Sequence, residues 1–463
     1  MGLGLTGQST AAFLLARGAF PVASEAKPEA DLASVVSDLR RSGGIVECGG
    51  HTSSIFDGCE IVVVSPGVPL SHPAILRARS AGARVVSEIE LASWYLKGRI
   101  VGITGSNGKS TVTALTAAIL SEAGMKARPC GNIGLPLIAM TAPAGGAAHV
   151  KDLGRSQPTG GDSPDAVYVV EISSFQLEAI ETFRPSSAAL LNLSPDHMDR
   201  YDRVEDYYAA KARLFSNQKH QDLAVLNADD PPTWALAPQI RARLVPFSLR
   251  GVTRSGVVLK EGRIVHVDRG AETFLMNVSE VPLPGRHNLE NAAAAAAVTF
   301  SFGAPAEAIR RAVASFEALP HRLRFVREVR AAAVYDDSKA TNVGSAIRAV
   351  EAFDAPVILL LGGRDKGGDF ASLAPRLGGK VRAVVTFGEA GPLIADRLEG
   401  AVPLIRSGAL REAARAAIEA ARPGDVVLLA PACASFDAYT SYAARGDDFV
   451  RAVHEIAAAL ERN

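Results

Sequence analysis

The chain has 463 residues, a length that exceeds a single hydrophobic core and predicts two to four domains. Lys plus Arg and Asp plus Glu both number 49, so no net charge attracts nucleic acid or an anionic membrane surface. The four cysteines are scattered without metal-ligand spacing, no apolar run approaches the ~18 residues that span a bilayer, and the start lacks a charged signal-peptide region. We therefore expect a cytoplasmic protein with reduced thiols, no nucleic-acid partner and no membrane-inserted segment.

Residues 1–97 form the first predicted unit, in which short apolar strands alternate with helices. The opening Gly2–Gly7, followed by a helix to Arg17, matches the G-x-G-x-x-G turn that binds the phosphates of a nucleotide. A tight strand–helix turn without a ligand is the alternative interpretation. Such a turn normally follows a strand, and only Met1 precedes it, so either the sheet lacks its first strand or the natural start lies upstream.

The second unit begins with a phosphate-binding pattern. Ile100–Thr104 predicts a short buried strand, and a helix is predicted from Ser110 onward. In the turn between them, glycines let backbone N–H groups close on a phosphate, Lys109 can reach the terminal phosphates, and the Ser110 hydroxyl can hold magnesium. Ile103 stands where the common P-loop has glycine, so the loop is a shortened variant. The segment predicts a nucleoside triphosphate site, with a ligand-free glycine-rich turn as the simpler alternative.

The rest of the second unit, residues 98–318, continues the α/β pattern. Its segment 141–165 is rich in Gly and Pro and predicts a solvent-exposed insertion. The strand Ala166–Val170 ends at Glu171, and carboxyl ends of strands are where open α/β sheets bind ligands. Alternating segments between 244 and 283 predict several antiparallel strands.

A carboxylate and an imidazole are expected beside the phosphate loop. Glu171 and His197 both follow predicted strands, and magnesium prefers oxygen ligands but tolerates a nitrogen. The alternative for His197 is a hydrogen-bonded structural histidine. Lys211 lies on the helix that follows, where a lysine is a solvated surface charge in most proteins.

Residues 319–463 form the third unit. Three near-continuous apolar runs predict a parallel sheet covered on both faces: Val357–Leu361, Ala383–Phe387 and Val426–Leu429. Small polar residues concentrate in 336–342, and Arg364 and Lys366 add cations that suit a carboxylate or a phosphate. Phosphate-capable loops in the first two units, with these cations in the third, predict a multi-substrate enzyme with an interdomain cleft.

In their order along the chain, the motifs resemble those of the Mur ligase family. The resemblance spans essentially the whole chain and rests on Gly2–Gly7, Ser65–Gly67, Gly105–Thr111, Gly131–Gly134, Glu171–Gln176, Asp196–Tyr201, Asn227–Asp230, Gly285–Asn288, Pro320–Arg322, Asp337–Asn342 and Pro431–Ser435. Within the family, the pattern is similar to the branch that adds D-glutamate to UDP-N-acetylmuramoyl-L-alanine in peptidoglycan synthesis.

The resemblance implies a fold and a reaction. The fold is α/β with three domains: a Rossmann-like N-terminal domain (1–97), a central P-loop ATPase-like domain with added antiparallel strands (98–318), and a Rossmann-like C-terminal domain (319–463). ATP phosphorylates the substrate carboxylate, and the amine of D-glutamate then attacks the acyl phosphate, with release of ADP and phosphate. The implied partners are small-molecule substrates and two magnesium ions, and we expect a monomer.

The resemblance also implies roles for individual residues. Those that match ATP contacts are Gly105, Ser106, Asn107, Gly108, Lys109, Ser110, Thr111, Asn288, Asn291, Arg322 and Asp337. Those that match UDP-sugar contacts are Leu5, Thr6, Gly67, Asn132 and His197. Those that match contacts of D-glutamate and the transferring phosphate are Lys339, Thr341, Lys366, Ser435, Phe436 and Tyr442. Those implied to act in catalysis are Lys109, Glu171, His197, Lys211 and Lys339.

The implied metal ligands are Ser110 with Glu171 for one magnesium, and His197 with Lys211 for the other. Lys211 matches a position that is carbamylated in the family, where a neutral amine adds carbon dioxide and becomes an anionic oxygen ligand. A lysine near a metal would otherwise repel it.

The chain departs from the family pattern near its start, and alternatives follow from this. Val22–Glu25 lacks the Asp-Thr-Arg type of uracil-binding stretch, so Ser24 and Glu25 are only candidate uracil ligands. The alternatives are a relative that adds another amino acid or extends folate with glutamate, an NAD-dependent oxidoreductase built on Gly2–Gly7, and a nucleotide-binding protein inactivated by the short N-terminus.

Overall fold

A computed structural model describes residues 1–141 and 162–462. Most of the predicted insertion 141–165 therefore lies outside the described residues. In that part of the chain, no helix is both long enough and apolar enough to cross a bilayer.

The first segment contains two separate pairs of parallel strands. Its helices and strands are α1 Leu5–Ala16, β1 Val22–Glu25, α2 Ala33–Arg41, β2 Ile45–Cys48, β3 Ile61–Val64, α3 Pro73–Ser80, β4 Arg84–Ser87 and α4 Glu88–Ser93. Strand β1 pairs with β2, and β3 pairs with β4.

Residues 1–3 lie between these two strand pairs, although they are not assigned to a strand. The amino group of Met1 donates a hydrogen bond to Val63 O at 2.7 Å, and Ser65 N donates to Met1 O at 3.0 Å. On the other side, Gly2 N donates to Ser24 O at 2.8 Å. Met1 and Gly2, at the start of the glycine turn, thus form hydrogen bonds with both strand pairs.

The central segment is built on one nine-stranded sheet. Its strands are β5 Arg99–Thr104, β6 Lys126–Gly131, β7 Ala166–Glu171, β8 Ser187–Leu190, β9 Leu223–Asn227, β10 Arg243–Ser248, β11 Gly256–Lys260, β12 Arg263–Asp268 and β13 Ala271–Asn277. Its helices are α5 Lys109–Glu122, α6 Ser174–Glu178, α7 Val204–Ala212, α8 Pro231–Trp234, α9 Arg286–Ser301 and α10 Ala306–Ala314.

The order in this sheet is β13-β12-β11-β10-β9-β8-β5-β7-β6, so β5 lies between β7 and β8. The prediction of antiparallel strands between 244 and 283 is correct for β11, β12 and β13 but wrong for β10, which pairs in parallel with both β9 and β11. Every residue of β7 and β8 is buried, as expected for parallel strands that helices cover on both faces. The buried alanines of α9 belong to the same core cluster as residues of β5 and α5.

The third segment contains a six-stranded sheet of order β14-β15-β19-β16-β17-β18. Its strands are β14 Arg324–Val329, β15 Ala332–Asp336, β16 Val357–Gly362, β17 Val381–Phe387, β18 Leu404–Arg406 and β19 Val426–Ala432. Its helices are α11 Val343–Glu351, α12 Ala374–Leu377, α13 Gly391–Leu398, α14 Leu410–Ala420 and α15 Tyr442–Leu460. All pairs except β14–β15 are parallel, so the loops after β15, β16 and β19 meet at one edge.

Candidate active site

The phosphate loop connects β5 to α5 in a tight turn. Gly108 caps α5 with a φ of +85°, and a Cβ atom there would lie 2.4 Å from Asn291 Oδ1. The Lys109 ammonium folds back over the loop and donates hydrogen bonds to Gly105 O at 2.8 Å and Ser106 O at 2.9 Å. Because it is buried, the pKa of Lys109 is lowered. Glycine is therefore required at 108 on both conformational and steric grounds.

Glu171 ends β7 next to this loop. Asn132 Nδ2 donates to its Oε1 at 2.8 Å, while its Oε2 is buried without a hydrogen-bond partner. Burial alone would raise the pKa of Glu171, but the positive charges of Lys109, Lys339 and Arg322 outweigh it and the pKa is lowered. An ionised carboxylate with an unpartnered buried oxygen fits a divalent cation.

Ser110 lies on the first turn of α5 and reaches the third segment. Arg322 Nη2 donates a hydrogen bond to Ser110 Oγ at 2.6 Å. The Ser110 hydroxyl is thus placed between Glu171 and Arg322, the last residue of the Pro320–Arg322 motif.

His197 adopts a left-handed backbone conformation with a φ of +58°. Its ring contacts Phe175 edge to face, with 4.9 Å between ring centroids, and its Nε2 lies 3.8 Å from Asp196 Oδ2. Burial lowers the pKa of His197 to about 4, so the imidazole is neutral at pH 7 and keeps a free lone pair.

Lys211 is buried rather than solvated. Its side chain comes from α7, and its Nζ donates to Gly105 O at 2.9 Å and lies 4.7 Å from the centroid of the Tyr207 ring. Burial lowers its pKa well below the usual value. The alternative of a surface charge at this position is therefore wrong.

The four candidate metal ligands offer one carboxylate, one imidazole, one hydroxyl and one amine. Across residues 1–141 and 162–462, no group of three or more His, Cys, Asp or Glu side chains is arranged to hold a metal. The orphaned oxygen of Glu171 is the feature that fits magnesium best.

One cleft contains most of the other residues that match ATP contacts. Its lining includes Asn107, Gly108, Thr111, Asn288, Asn291, Arg322 and Asp337. Helix α9 begins at Arg286, before the alanine run that predicted it, so Asn288 and Asn291 lie on its first two turns. Burial raises the pKa of Asp337 to about 7, and the nearby Arg322 opposes this rise.

Sequence reasoning missed three further polar residues of this cleft. His287, Ser345 and Arg348 line it, and burial lowers the pKa of His287 to about 4. His287 lies inside the quoted Gly285–Asn288 motif, which could have identified it. Ser345 and Arg348 lie on α11, and no local sequence pattern marks them as residues of a binding cleft.

The residues that match D-glutamate contacts come from loops of the third segment. Lys366 Nζ lies 3.0 Å from Asp196 Oδ1, and Asn342 Nδ2 donates to Asp196 Oδ2 at 2.8 Å. Lys339 Nζ lies 3.9 Å from the centroid of the Tyr442 ring, and Thr341 N donates to Lys339 O. Ser435 is buried, whereas Phe436 is 63% exposed. The sequence assigns Asp196 no role beyond its place in the Asp196–Tyr201 motif, whereas the structure makes it the partner of Lys366.

The residues that match UDP-sugar contacts are spread over four places, one of which is the loop with His197 described above. Leu5 and Thr6 begin α1, Gly67 follows β3, and Asn132 contacts Glu171 as described. The glycine turn is tightly packed, because a Cβ atom on Gly7 would lie 1.8 Å from Gly2 O.

Both candidate uracil ligands make polar contacts within the first segment. Glu25 Oε2 accepts from Leu3 N at 2.6 Å, and Glu25 Oε1 accepts from Lys27 N at 3.1 Å. Ser24 Oγ lies 2.7 Å from His51 Nδ1.

Known proteins are similar to this chain along most of its length. Three family models match: the N-terminal domain of MurD-like Mur ligases over residues 1–87, the Mur ligase middle domain over 103–299, and the Mur ligase glutamate ligase domain over 321–433. A UDP-N-acetylmuramoylalanine–D-glutamate ligase from Acidobacterium capsulatum is 44% identical over 97% of this chain and 94% of the relative. A protein of the same name from Desulfatibacillum aliphaticivorans is 41% identical over 99% of this chain and 98% of its own length. This chain belongs to the Mur ligase family.

Solved Mur ligase structures share the fold at low identity. A pseudomurein peptide ligase type C from Methanothermus fervidus has a TM-score of 0.60 at 15% identity and covers 99% of this chain and 98% of its own. The UDP-N-acetylmuramate-alanine ligase MurC from Thermotoga maritima has a TM-score of 0.57 at 19% identity and covers 99% and 97%. The resemblance inferred from the motifs is confirmed, as is a three-domain α/β architecture with mixed sheets. Ligases of this family use ATP and Mg²⁺.

Proposed function

We propose that this Mur ligase joins D-glutamate to UDP-N-acetylmuramoyl-L-alanine in the cytoplasmic synthesis of peptidoglycan precursors, with conversion of ATP to ADP and phosphate. The observation that carries the proposal is the 44% identity, across 97% of the chain, to a relative named for this ligation. The buried cationic site around Gly105–Thr111 is consistent with it, because the reaction accumulates negative charge on phosphoryl oxygens.

In the proposed first step, the terminal phosphoryl group of ATP passes to the carboxylate of the L-alanine residue, and ADP leaves. Backbone N–H groups of Gly105–Thr111 and the Lys109 ammonium would hold the phosphates, and the cleft with Asn288, Asn291 and Asp337 would hold the adenosine. Arg322 bonds Ser110 and lines the same cleft, so it would hold both the loop and a phosphate.

Four residues would hold magnesium, which supplies neutralisation of phosphoryl charge when bound. Ser110 and Glu171 would provide one set of ligands, as the orphaned Glu171 oxygen suggests, and His197 with Lys211 the other. Lys211 would act as a carbamate: its neutral amine adds carbon dioxide, a C–N bond forms, and one proton is released. The burial of Lys211 supports this, because burial lowers the pKa of the amine well below its usual value and so favours the neutral, nucleophilic form.

In the proposed second step, the amine of D-glutamate attacks the acyl carbon, a proton leaves the nitrogen, and phosphate departs. Lys366, Thr341, Ser435, Phe436 and Tyr442 would bind D-glutamate. Lys339 would contact the transferring phosphate, and burial lowers its pKa to about 8. Leu5, Thr6, Gly67, Asn132 and His197 would bind the UDP-sugar substrate.

The domain limits 1–97, 98–318 and 319–463, the Rossmann-like character of the outer domains and a monomeric state are part of the same proposal. The strand pairs of the first segment and the six-stranded, mostly parallel sheet of the third support these limits.

An amino-acid-resolved ligation assay tests the reaction. ADP release and product mass are measured with UDP-N-acetylmuramoyl-L-alanine and, in turn, D-glutamate, L-glutamate and a diamino acid. We expect turnover with D-glutamate alone. Equal turnover with L-glutamate or a diamino acid would instead select a ligase for another amino acid.

A further inference from the structure

Arg200 connects the first segment to the central one through a loop that the proposed reaction uses. It lies in the Asp196–Tyr201 motif, three residues after His197, and no role was assigned to it from the sequence. Its Nη1 donates a hydrogen bond to Pro66 O at 3.0 Å, and its Nη2 donates to Val68 O at 3.3 Å. These carbonyls flank Gly67, which matches a UDP-sugar contact.

The same guanidinium is held firmly by the central segment. Its Nη2 lies 2.9 Å from Glu178 Oε2, and its Cζ lies 4.1 Å from the centroid of the Phe175 ring. Phe175 contacts His197 on one side and stacks with Tyr201 on another. One side chain therefore contacts the loop after β3, the helix α6 and the aromatic ring that supports His197.

The 65–68 loop also forms hydrogen bonds with residues at the start of the glycine turn. Ser65 N donates to Met1 O at 3.0 Å, Ser65 Oγ donates to Gly2 O at 3.3 Å, and Val68 N donates to Ser65 O at 3.0 Å. The carbonyl groups of Pro66 and Val68 in this loop accept the hydrogen bonds from Arg200. Fixing 65–68 from the central segment thus also fixes its position relative to Gly2–Gly7.

The burial of this contact distinguishes it from an ordinary surface ion pair. The side chains of Arg200 and Glu178 are only 17% and 18% exposed. Arg84 and Glu181 also join the first and central segments, with a 2.6 Å contact and a ring of Trp94 at 4.4 Å, but they are 48% and 42% exposed and contact no backbone of 65–68. Exposed pairs contribute little, whereas charge-assisted bonds to carbonyls at a half-buried site are stronger and directional.

We propose that Arg200 is a positioning residue that orders the 65–68 loop, and through it the binding site for the UDP-sugar substrate. This inference rests on the proposed function for the identity of that substrate. A planar guanidinium suits the task, because it can bond two carbonyls, a carboxylate and an aromatic face at once, which an ammonium cannot.

The test compares Arg200→Met with Arg84→Met. The control also removes an arginine–carboxylate pair and an arginine–ring contact, and its ion pair with Glu181 joins the same two segments. Affinity for UDP-N-acetylmuramoyl-L-alanine is measured by calorimetry without ATP or D-glutamate, and KM values are measured for all three substrates. We expect Arg200→Met to weaken binding and raise the KM of the UDP-sugar by about tenfold or more, with the other two KM values within about twofold. Arg200→Lys should recover part of the affinity, and Arg84→Met should match wild type.

Equal UDP-sugar affinities in the two methionine variants would overturn the inference, as would a parallel rise in all three KM values. Melting temperatures of both variants separate loss of folding from loss of binding, and Arg200→Lys provides the second comparison if Arg200→Met is unstable. Wild-type protein that binds the UDP-sugar but ligates no D-glutamate would refute the proposed reaction and leave this inference standing.

Discussion

The ammonium of Lys366 lies 3.0 Å from the carboxylate of Asp196, and this ion pair joins the third segment to the central one. Burial alone would raise the pKa of Asp196, but Lys366 and His197 oppose this and hold it at about 2. The same carboxylate accepts a hydrogen bond from Asn342. Lys366 is therefore already oriented by one carboxylate at the place where the proposed reaction brings another, that of D-glutamate.

Replacement of Lys366 should act mainly on D-glutamate. Lys366→Ala removes a charged donor, and a hydrogen bond to a charged group contributes about 1.5–3 kcal/mol, so we expect the KM for D-glutamate to rise by about 10- to 100-fold. Arg364→Ala is the matched control, because Arg364 lies on the same loop but pairs with the exposed Glu389. Steady-state kinetics with varied D-glutamate measure this, and an unchanged KM in Lys366→Ala would remove Lys366 from that pocket.

Local patterns were sufficient to predict the strand, turn and helix of the phosphate loop, and to place Glu171 at the end of a buried strand. The pairing of β7 with β5 then brings Glu171 next to the loop. The parallel pairing of β10 was not predictable in the same manner. Alternation of apolar residues does not distinguish parallel from antiparallel strands. The direction of β10 follows from its pairing with β9, a strand that lies outside any local pattern in 243–248.

Contacts across long stretches of sequence also escaped local reasoning. Asp196 and Lys366 are separated by 170 residues, and Arg200 and Pro66 by 134. In the sequence, Asp196, Lys366 and Arg200 each resemble an ordinary surface charge. Only the folded chain brings their partners close. Lys211 was singled out only through the family resemblance, since its helix gives no sign that this position is buried.

A methyl group at position 108 should weaken ATP binding. In Gly108→Ala, the new Cβ atom would lie 2.4 Å from Asn291 Oδ1, and the φ of +85° costs an L-residue roughly 1 kcal/mol in addition. The loop must shift away from α9, and we expect the KM for ATP to rise by about tenfold or more.

Gly124→Ala supplies the control at the other end of the same helix. Its φ is +80°, but a Cβ atom there would meet nothing within 4 Å. It should therefore lower the melting temperature without changing the KM for ATP. An unchanged KM for ATP in Gly108→Ala would show that the contact with Asn291 does not constrain the phosphate loop.

Removal of the Lys211 amine should abolish ligation. In Lys211→Ala, the proposed carbamate cannot form, so bicarbonate should not restore activity, whereas added short-chain carboxylates should restore part of the rate. ¹³C NMR of protein equilibrated with ¹³C-labelled carbon dioxide provides a direct readout, in which wild type shows a carbamate signal that the variant lacks. Lys219→Ala, which changes an exposed lysine, is the control. Near-wild-type turnover in Lys211→Ala would exclude the carbamate.

The buried carboxyl of Glu88 should make the stability of the protein pH-dependent. Glu88 is the first residue of α4; its Oε1 accepts a hydrogen bond from Ile138 N at 2.6 Å, and its Oε2 is buried without a partner. Burial raises its pKa from 4.5 to about 7. Between these values the folded state retains a proton that the unfolded chain releases, so stability falls as the pH rises through this window, by on the order of 3 kcal/mol when complete.

Thermal unfolding of Glu88→Gln and wild type at pH 5 and pH 8 measures this effect. Because glutamine does not titrate, the melting temperature of the variant relative to wild type should rise by several degrees between the two pH values. Glu90→Gln is the control on the same helix. Burial alone would raise the pKa of Glu90, but hydrogen bonds from the Thr182 hydroxyl and from the backbone of 181–183 outweigh it and lower the pKa. The titration of Glu90 thus lies mostly below pH 5, and the difference between its variant and wild type should stay nearly constant from pH 5 to pH 8. A constant difference for Glu88→Gln as well would mean that Glu88 is ionised in the folded protein at pH 5.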